Sequence, residues 1–279
     1  MKKSNMVTAL CLLCLAGLAF GLVMLTVSSA DQAVSATVVN AHNWYYKPRQ
    51  DGGQPIVADD ADFLQNYPHL CLGNAQDKTI YLTFDCGYDN GYTADILDTL
   101  KEKNVKAAFF VTGHFLDSSP ELIQRMADEG HLVCNHSNTH KDLSNVTSPQ
   151  VFLDEIQGLA EKYEQLTGQK MPNYVRPPEG KYSESFLKLC QEYNYIPVFW
   201  SFAYKDWLND AQPSQEEAIQ IILSRTHPGE IALLHSTSAT NAAILGEVID
   251  RWHTDGYTIK TLDDLKNEQL TVQTPSPSA

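Results

Sequence analysis

Positive charge is what this chain has least of. Lysine and arginine number 20 against 34 aspartates and glutamates in 279 residues, for a formal charge of −14. Such a shortage argues against a nucleic-acid binder and against docking on an anionic membrane surface, because both depend on neutralising phosphates. An acidic wall polymer would also be repelled, unless the site is locally basic or carries a metal. Cysteine is sparse too. Of six, Cys11 and Cys14 lie in an apolar run, leaving Cys71, Cys86, Cys134 and Cys190. Four in so long a chain do not make a disulfide framework, and zero, one or two bridges remain open. Lipid attachment is disfavoured, because Leu10 and Leu13 stand where a small residue should precede each N-terminal cysteine. There is no internal repeat. Apolar content is ample at 43%, with 10% aromatic residues, so a real core can form and general disorder is excluded. The length suits one large α/β domain or two small ones.

Only one long hydrophobic run occurs. Lys2 and Lys3 precede an uncharged stretch from Met6 to Val27, followed by Ser28, Ser29 and Ala30. This is the layout of an export signal, and the run is long enough to span a bilayer. A cleaved signal and a retained anchor over residues 1–30 both stay open. Either way the working part lies outside the cytoplasmic membrane, and membrane contact is confined to this segment. Without residues 1–30 the chain keeps 18 basic and 34 acidic residues, net −16. A monomer is expected.

Residues 31–78 read as an irregular wrapping segment whose aromatics, Trp44, Tyr45 and Tyr46, pack on the main domain. From Thr79 the pattern is regular. Strands are expected at 79–84, 107–111, 131–134, 174–175, 196–200, 230–234 and 257–259. Helices are expected at 93–103, 120–128, 149–166, 184–193, 215–225 and 241–253. Such alternation argues for a parallel α/β sheet with right-handed crossovers. Seven strands favour a closed or nearly closed barrel over an open sheet. The domain is expected to span 79–268, with a Thr/Pro/Ser-rich, disordered tail over 269–279.

In a β/α barrel the chemistry sits at the carboxyl ends of the strands. The apolar runs lead there to Asp85 and Cys86, to His136 and His140, to Arg176, to Asp206 and Trp207, and to His235. Singly, each has a plain reading: a cap or turn aspartate, a surface ion pair, a satisfied core histidine. Their coincidence on one rim weakens those readings jointly. His114 lies near the same rim and reads as structural or substrate-side.

These residues carry a family resemblance. Thr83-Phe84-Asp85-Cys86-Gly87, His136-Ser137-Asn138-Thr139-His140, Arg176-Pro177-Pro178-Glu179-Gly180, Asp206-Trp207 and Leu233-Leu234-His235 resemble, in order, the five motifs of the polysaccharide deacetylases, the NodB-homology carbohydrate esterases of family 4. The resemblance covers about residues 79–265. Asn43 to Pro48, Gly87 to Tyr92 and Phe199-Trp200-Ser201 are similar to the δ-lactam-biosynthetic de-N-acetylases of spore-forming bacteria. The resemblance implies a distorted (β/α) barrel of seven or eight strands and a hydrolase acting on the peptidoglycan glycan strand. It implies removal of acetyl from peptide-free N-acetylmuramic acid on the way to muramic δ-lactam in the spore cortex. It also implies a divalent metal, zinc above others, on His136 and His140. Asp85 would be the general base, His235 the general acid, and Arg176 and Asp206 their respective orienting partners. Pro177, Gly180, Trp207 and Leu234 would contact substrate.

One position departs from the family pattern. Cys86 stands where a metal-ligating aspartate is usual. It could ligate zinc as a thiolate, be a spectator beside a two-histidine site, or be oxidised with Cys134. Two other functions compete: a deacetylase of N-acetylglucosamine in peptidoglycan or chitin-like oligomers, and an inactive wall-binding protein. Retention of both an acid and a base argues against the latter.

Overall fold

The structure, a computed structural model, describes residues 40–49, 51–58 and 60–273. The expected signal or anchor lies outside these residues. Among the described residues no helix is long and apolar enough to cross a membrane.

Eight strands form the main sheet, and all their pairings are parallel. They are β1 (Thr79–Cys86), β2 (Ala108–Val111), β3 (Leu132–Asn135), β4 (Tyr174–Val175), β5 (Ile196–Pro197), β6 (Phe202–Ala203), β7 (Glu230–His235) and β8 (Thr258–Lys260). Their order is β6-β7-β1-β2-β3-β4-β5, with β8 pairing the first three residues of β1. The sheet therefore curls around β1 into a distorted (β/α) barrel, with its seam between β5 and β6. The strand expected at 196–200 is shorter than expected, and β6 lies beyond that range. The Val198 N–H still donates to the Val175 carbonyl at 2.8 Å while Leu70 pairs on its other edge, and strand pairing resumes only at Phe202.

Helices cover the outside: α1 (Thr93–Glu102), α2 (Gly113–Ser118), α3 (Pro120–Asp128), α4 (Pro149–Thr167), α5 (Glu184–Glu192), α6 (Gln215–Arg225), α7 (Ala239–Thr254) and α8 (Leu262–Gln273). Gly168 ends α4 in the left-handed conformation, φ 71°, as a C-terminal glycine does. Ser214 and Glu217 begin α6 with a capping box. The stretch 269–273, assigned above to a disordered tail, is instead the end of α8.

Strand alternation divides the core in two. Ile80, Leu82, Phe84 and Cys86 of β1 share an apolar cluster with Ile96, Leu97, Ile244 and Trp252 of the covering helices. Tyr81 faces the other way and shares the barrel interior with Phe110, Cys134, Tyr174, Ile231 and the helix residues Leu262 and Leu265.

The N-terminal aromatics strap the seam. Trp44 stacks on Phe199, centroids 4.2 Å apart, and its indole N–H donates to the Trp200 carbonyl at 2.8 Å. The Tyr46 hydroxyl donates to the Ala203 carbonyl at 2.6 Å and accepts from the Ala203 N–H at 3.0 Å. His42–Asn43 pairs antiparallel with Lys181–Tyr182. This strap bridges the chain on both sides of the break between β5 and β6.

Candidate active site

At the carboxyl ends of the strands lies a cavity of about 760 Å³. Asp85, His136, His140, Gly180, Trp207 and His235 line it, together with Tyr88, Glu179, Trp200, Tyr204, Lys205 and Leu233.

Asp85 ends β1 beside β7, in register with His235. The fully buried Arg176 guanidinium donates to its Oδ1 at 2.8 Å. That guanidinium also donates to Thr83 Oγ1 at 3.0 Å and, through Nε, to the Val198 carbonyl at 3.1 Å. It lies 4.0 Å from the Phe110 ring centroid. Arg176 is thus held on several sides and cannot reach a ligand. Burial pushes the Asp85 carboxyl upward, but Arg176, His136 and His235 outweigh it, so the group sits below its ordinary value and stays ionised.

His136 follows β3. Its Nδ1 lies 2.9 Å from the Arg176 carbonyl, which can only accept, so the proton sits there and Nε2 is bare. Burial keeps the ring neutral, pulling its pKa down to about 4. Nε2 lies 3.5 Å from Asp85 Oδ2. The exposed His140 ring meets the His136 ring edge-on at 4.8 Å. The loop that carries it is strained, with Ser137 at φ 65° and His140 at φ 56°, both in the left-handed region. Buried Glu155 of α4 supports this loop, accepting from the Thr139 N–H at 2.9 Å and the Thr139 hydroxyl at 2.8 Å.

His235 ends β7. Its Nδ1 donates to Asp206 Oδ1 at 2.7 Å, and its backbone N–H donates to Oδ2 at 2.8 Å. Asn241 donates to the same Oδ2 at 2.6 Å. Burial pushes the imidazole pKa down, but buried Asp206 outweighs it and holds the ring above its ordinary value. The site therefore holds an ionised carboxylate, a neutral imidazole and an imidazole biased towards its protonated form.

A polysaccharide deacetylase model matches residues 72–198. Over 228 residues the chain is 42% identical to a Bacillus subtilis protein named peptidoglycan-N-acetylmuramic acid deacetylase PdaA, covering 81% of this chain and 86% of that one. The chain belongs to the polysaccharide deacetylase family. As a polysaccharide deacetylase it is a hydrolase of an amide C–N bond. The solved structure of Bacillus subtilis PdaA, described as a family 4 carbohydrate esterase, superposes with a TM-score of 0.79 at 40% identity, covering 82% of this chain and 98% of that one. A Bacillus cereus peptidoglycan-N-acetylglucosamine deacetylase is 31% identical over 237 residues, 81% of this chain and 84% of that one.

In this polysaccharide deacetylase the expectations at Cys86, Leu234 and Pro177 need correction. Cys86 does not line the cavity. It follows Asp85 on one strand and so faces the opposite way, fully buried among apolar side chains. Burial raises its thiol well above the ordinary value, so it is not poised as a thiolate ligand. It is also not oxidised with Cys134; Cys71, Cys86, Cys134 and Cys190 are all free thiols. Leu234 faces the covering helices, and its neighbour Leu233 lines the cavity instead. Pro177 is buried outside the cavity lining. His114 is exposed on α2 and also lies outside it.

Among the described residues no group of three or more His, Cys, Asp or Glu side chains forms a ready metal-binding set. The donors that are present still fit a divalent ion. Directing the Nδ1 proton of His136 to a carbonyl leaves Nε2 free, which is how a metal-ligating imidazole is normally held.

Several residues that shape this site have no role assigned from sequence, although Tyr88 and Glu179 lie inside the segments that carry the resemblance. Tyr88, Glu179, Tyr204 and Lys205 line the cavity, while Asn241 and Glu155 support it from behind. Each of the others lies within two residues of a motif or on a helix facing it, so no pattern in one sequence marks it.

Proposed function

We propose that this chain removes the acetyl group from peptide-free N-acetylmuramic acid in peptidoglycan, outside the cytoplasmic membrane, on the way to muramic δ-lactam in the spore cortex. The observation that carries the reading is the facing of two supported groups across one cavity: Asp85 held by Arg176, and His235 held by Asp206. Asp85, ionised, takes a proton from the attacking water. His235, protonated, gives one to the amine nitrogen as the C–N bond breaks. Arg176 fixes the carboxylate and Asp206 fixes the imidazole. A divalent metal, zinc in this proposal, would be held by His136 and His140 and would supply polarisation of the acetamide carbonyl and acidification of water. The identity to a named muramic acid deacetylase, higher than to the glucosamine deacetylase, supports the choice of sugar.

The test is acetate release from peptide-free glycan, peptide-bearing glycan and N-acetylglucosamine oligomers. Turnover is expected on the first, and a chelator should abolish it. Asp85→Asn should lower kcat by roughly 10²–10⁴-fold, the usual worth of a general base. Turnover confined to the glucosamine oligomers would overturn the muramic acid reading.

A further inference from the structure

Lys205, a cationic side chain in the cavity lining, lies outside the five motifs. Lys205 follows β6 and lies between Tyr204 and Asp206, both buried. Lys205 and Trp207 are both exposed and both line the cavity. Lys205 is the only lysine or arginine in the cavity lining. The nearby Arg176 is fully buried and committed to Asp85. The cavity carboxylates are accounted for: Asp85 pairs with Arg176 at 2.8 Å, and Glu179 with Lys181 at 2.8 Å. Among the described residues no ion pair or hydrogen bond engages the Lys205 ammonium. An unpaired cation therefore stands at the mouth of a cavity in a chain whose formal charge is −14.

A cation so placed selects for an anion on the ligand. The two candidate sugars differ in that respect. N-acetylmuramic acid carries a lactyl ether ending in a carboxylate; N-acetylglucosamine has a hydroxyl there. Attaching the peptide converts that carboxylate to an amide, which removes the charge and adds bulk.

We propose that Lys205 pairs with the free lactyl carboxylate and so sets the preference for peptide-free muramic acid. This rests on the muramic acid reading above and adds the group that would enforce it. Lys205 acts on substrate choice and takes no part in the proton transfers. Trp207, beside His235 with ring centroids 5.5 Å apart, offers an aromatic face for the sugar on the same wall.

The test compares wild type, Lys205→Met and Lys205→Arg on two glycans. One is peptide-free with its lactyl carboxylates intact; the other is the same glycan with those carboxylates converted to carboxamides. N-acetylglucosamine oligomers serve as a third substrate. Wild type should prefer the carboxylate glycan. Lys205→Met should raise KM on it about three- to tenfold, the worth of one partly exposed charge-assisted contact, with kcat little altered. The carboxylate-over-carboxamide preference should fall by the same factor, and Lys205→Arg should retain most of it. Equal losses on both glycans, or a preference that survives in Lys205→Met, would overturn the Lys205 assignment while leaving the muramic acid reading intact. A wild type active only on glucosamine oligomers would instead overturn that reading, and Lys205 with it.

Discussion

Two imidazoles in the cavity are driven in opposite directions by what lies beside them. His136 is buried against a carbonyl and kept neutral. His235 is partly buried, yet the Asp206 carboxylate at 2.7 Å holds it above its ordinary value. The sign of the pH effect follows. An acid works only while protonated, so the basic limb of the kcat/KM profile should lie above the ordinary histidine value of 6.5. Asp206→Asn removes the main influence raising that pKa while keeping a side chain of similar shape. The basic limb should move to lower pH, and kcat at neutral pH should fall about 10–100-fold. A rate profile across pH for the two proteins checks this, and an unmoved limb would separate His235 from the acid role. The same residue scale shows what motif spacing cannot reveal. Asp85 and Cys86 are adjacent in the chain and face opposite sides of one strand. So do Leu233 and Leu234. On β1, buried throughout, Ile80, Leu82, Phe84 and Cys86 alternate with Thr79, Tyr81, Thr83 and Asp85, a period of two that puts Cys86 on the apolar face; β7 is apolar on both faces, so its pattern does not separate Leu233 from Leu234.

At the scale of elements, legibility followed length. The long helices α4 and α7 and the strands β1 and β7 have uninterrupted periodic or apolar runs, and the sequence locates them to within two residues. Two-residue β4 lies where expected, but other short pieces are hidden for physical reasons. α2 has six residues and begins where β2 ends after one connecting position, too little for a helical period to register. β5 is expected to run on to Trp200 because Val198, Phe199 and Trp200 continue the apolar run, and the two-residue β6 beyond it, Phe202–Ala203, is not expected at all. The strap at this seam can be tested. Tyr46→Phe keeps the ring but leaves the Ala203 N–H and carbonyl without their hydroxyl partner. Stability should fall by about 1–2 kcal/mol, the cost of orphaned, part-buried polar groups. Because Ala203 leads directly into Tyr204, Lys205 and Asp206, kcat/KM should fall as well. Denaturant melts and acetate release measured together check both effects. Lost stability with intact turnover would show that the strap does not position the segment.

For the whole molecule, the two ends of the barrel divide the work. Tyr81 and Tyr174 stand near the amino-terminal starts of β1 and β4, four and two residues before Asp85 and Arg176. There the interior is closed by α8, which contributes buried Leu262 and Leu265. Glu268 and Asp263 of that helix accept from the Tyr81 and Tyr174 hydroxyls at 2.8 and 2.7 Å. Leu262, Asp263, Leu265 and Glu268 all precede the expected tail at 269–279 and lie inside the expected domain, although no helix is expected over them. The arrangement makes α8 the floor of the barrel and part of its core. Leu265→Ala should then cost about 2–4 kcal/mol, as a large-to-small change at a fully buried leucine does. Because the mutation lies at the end away from the cavity, acetate release per folded molecule should hold. Denaturant unfolding with activity measured on the same samples tests the division. A cost well under 1 kcal/mol would make α8 a peripheral attachment. A full-sized cost accompanied by lost turnover would mean that the floor and the cavity are mechanically coupled through the interior cluster of Tyr81, Phe110 and Tyr174, on whose Phe110 ring the Arg176 guanidinium rests.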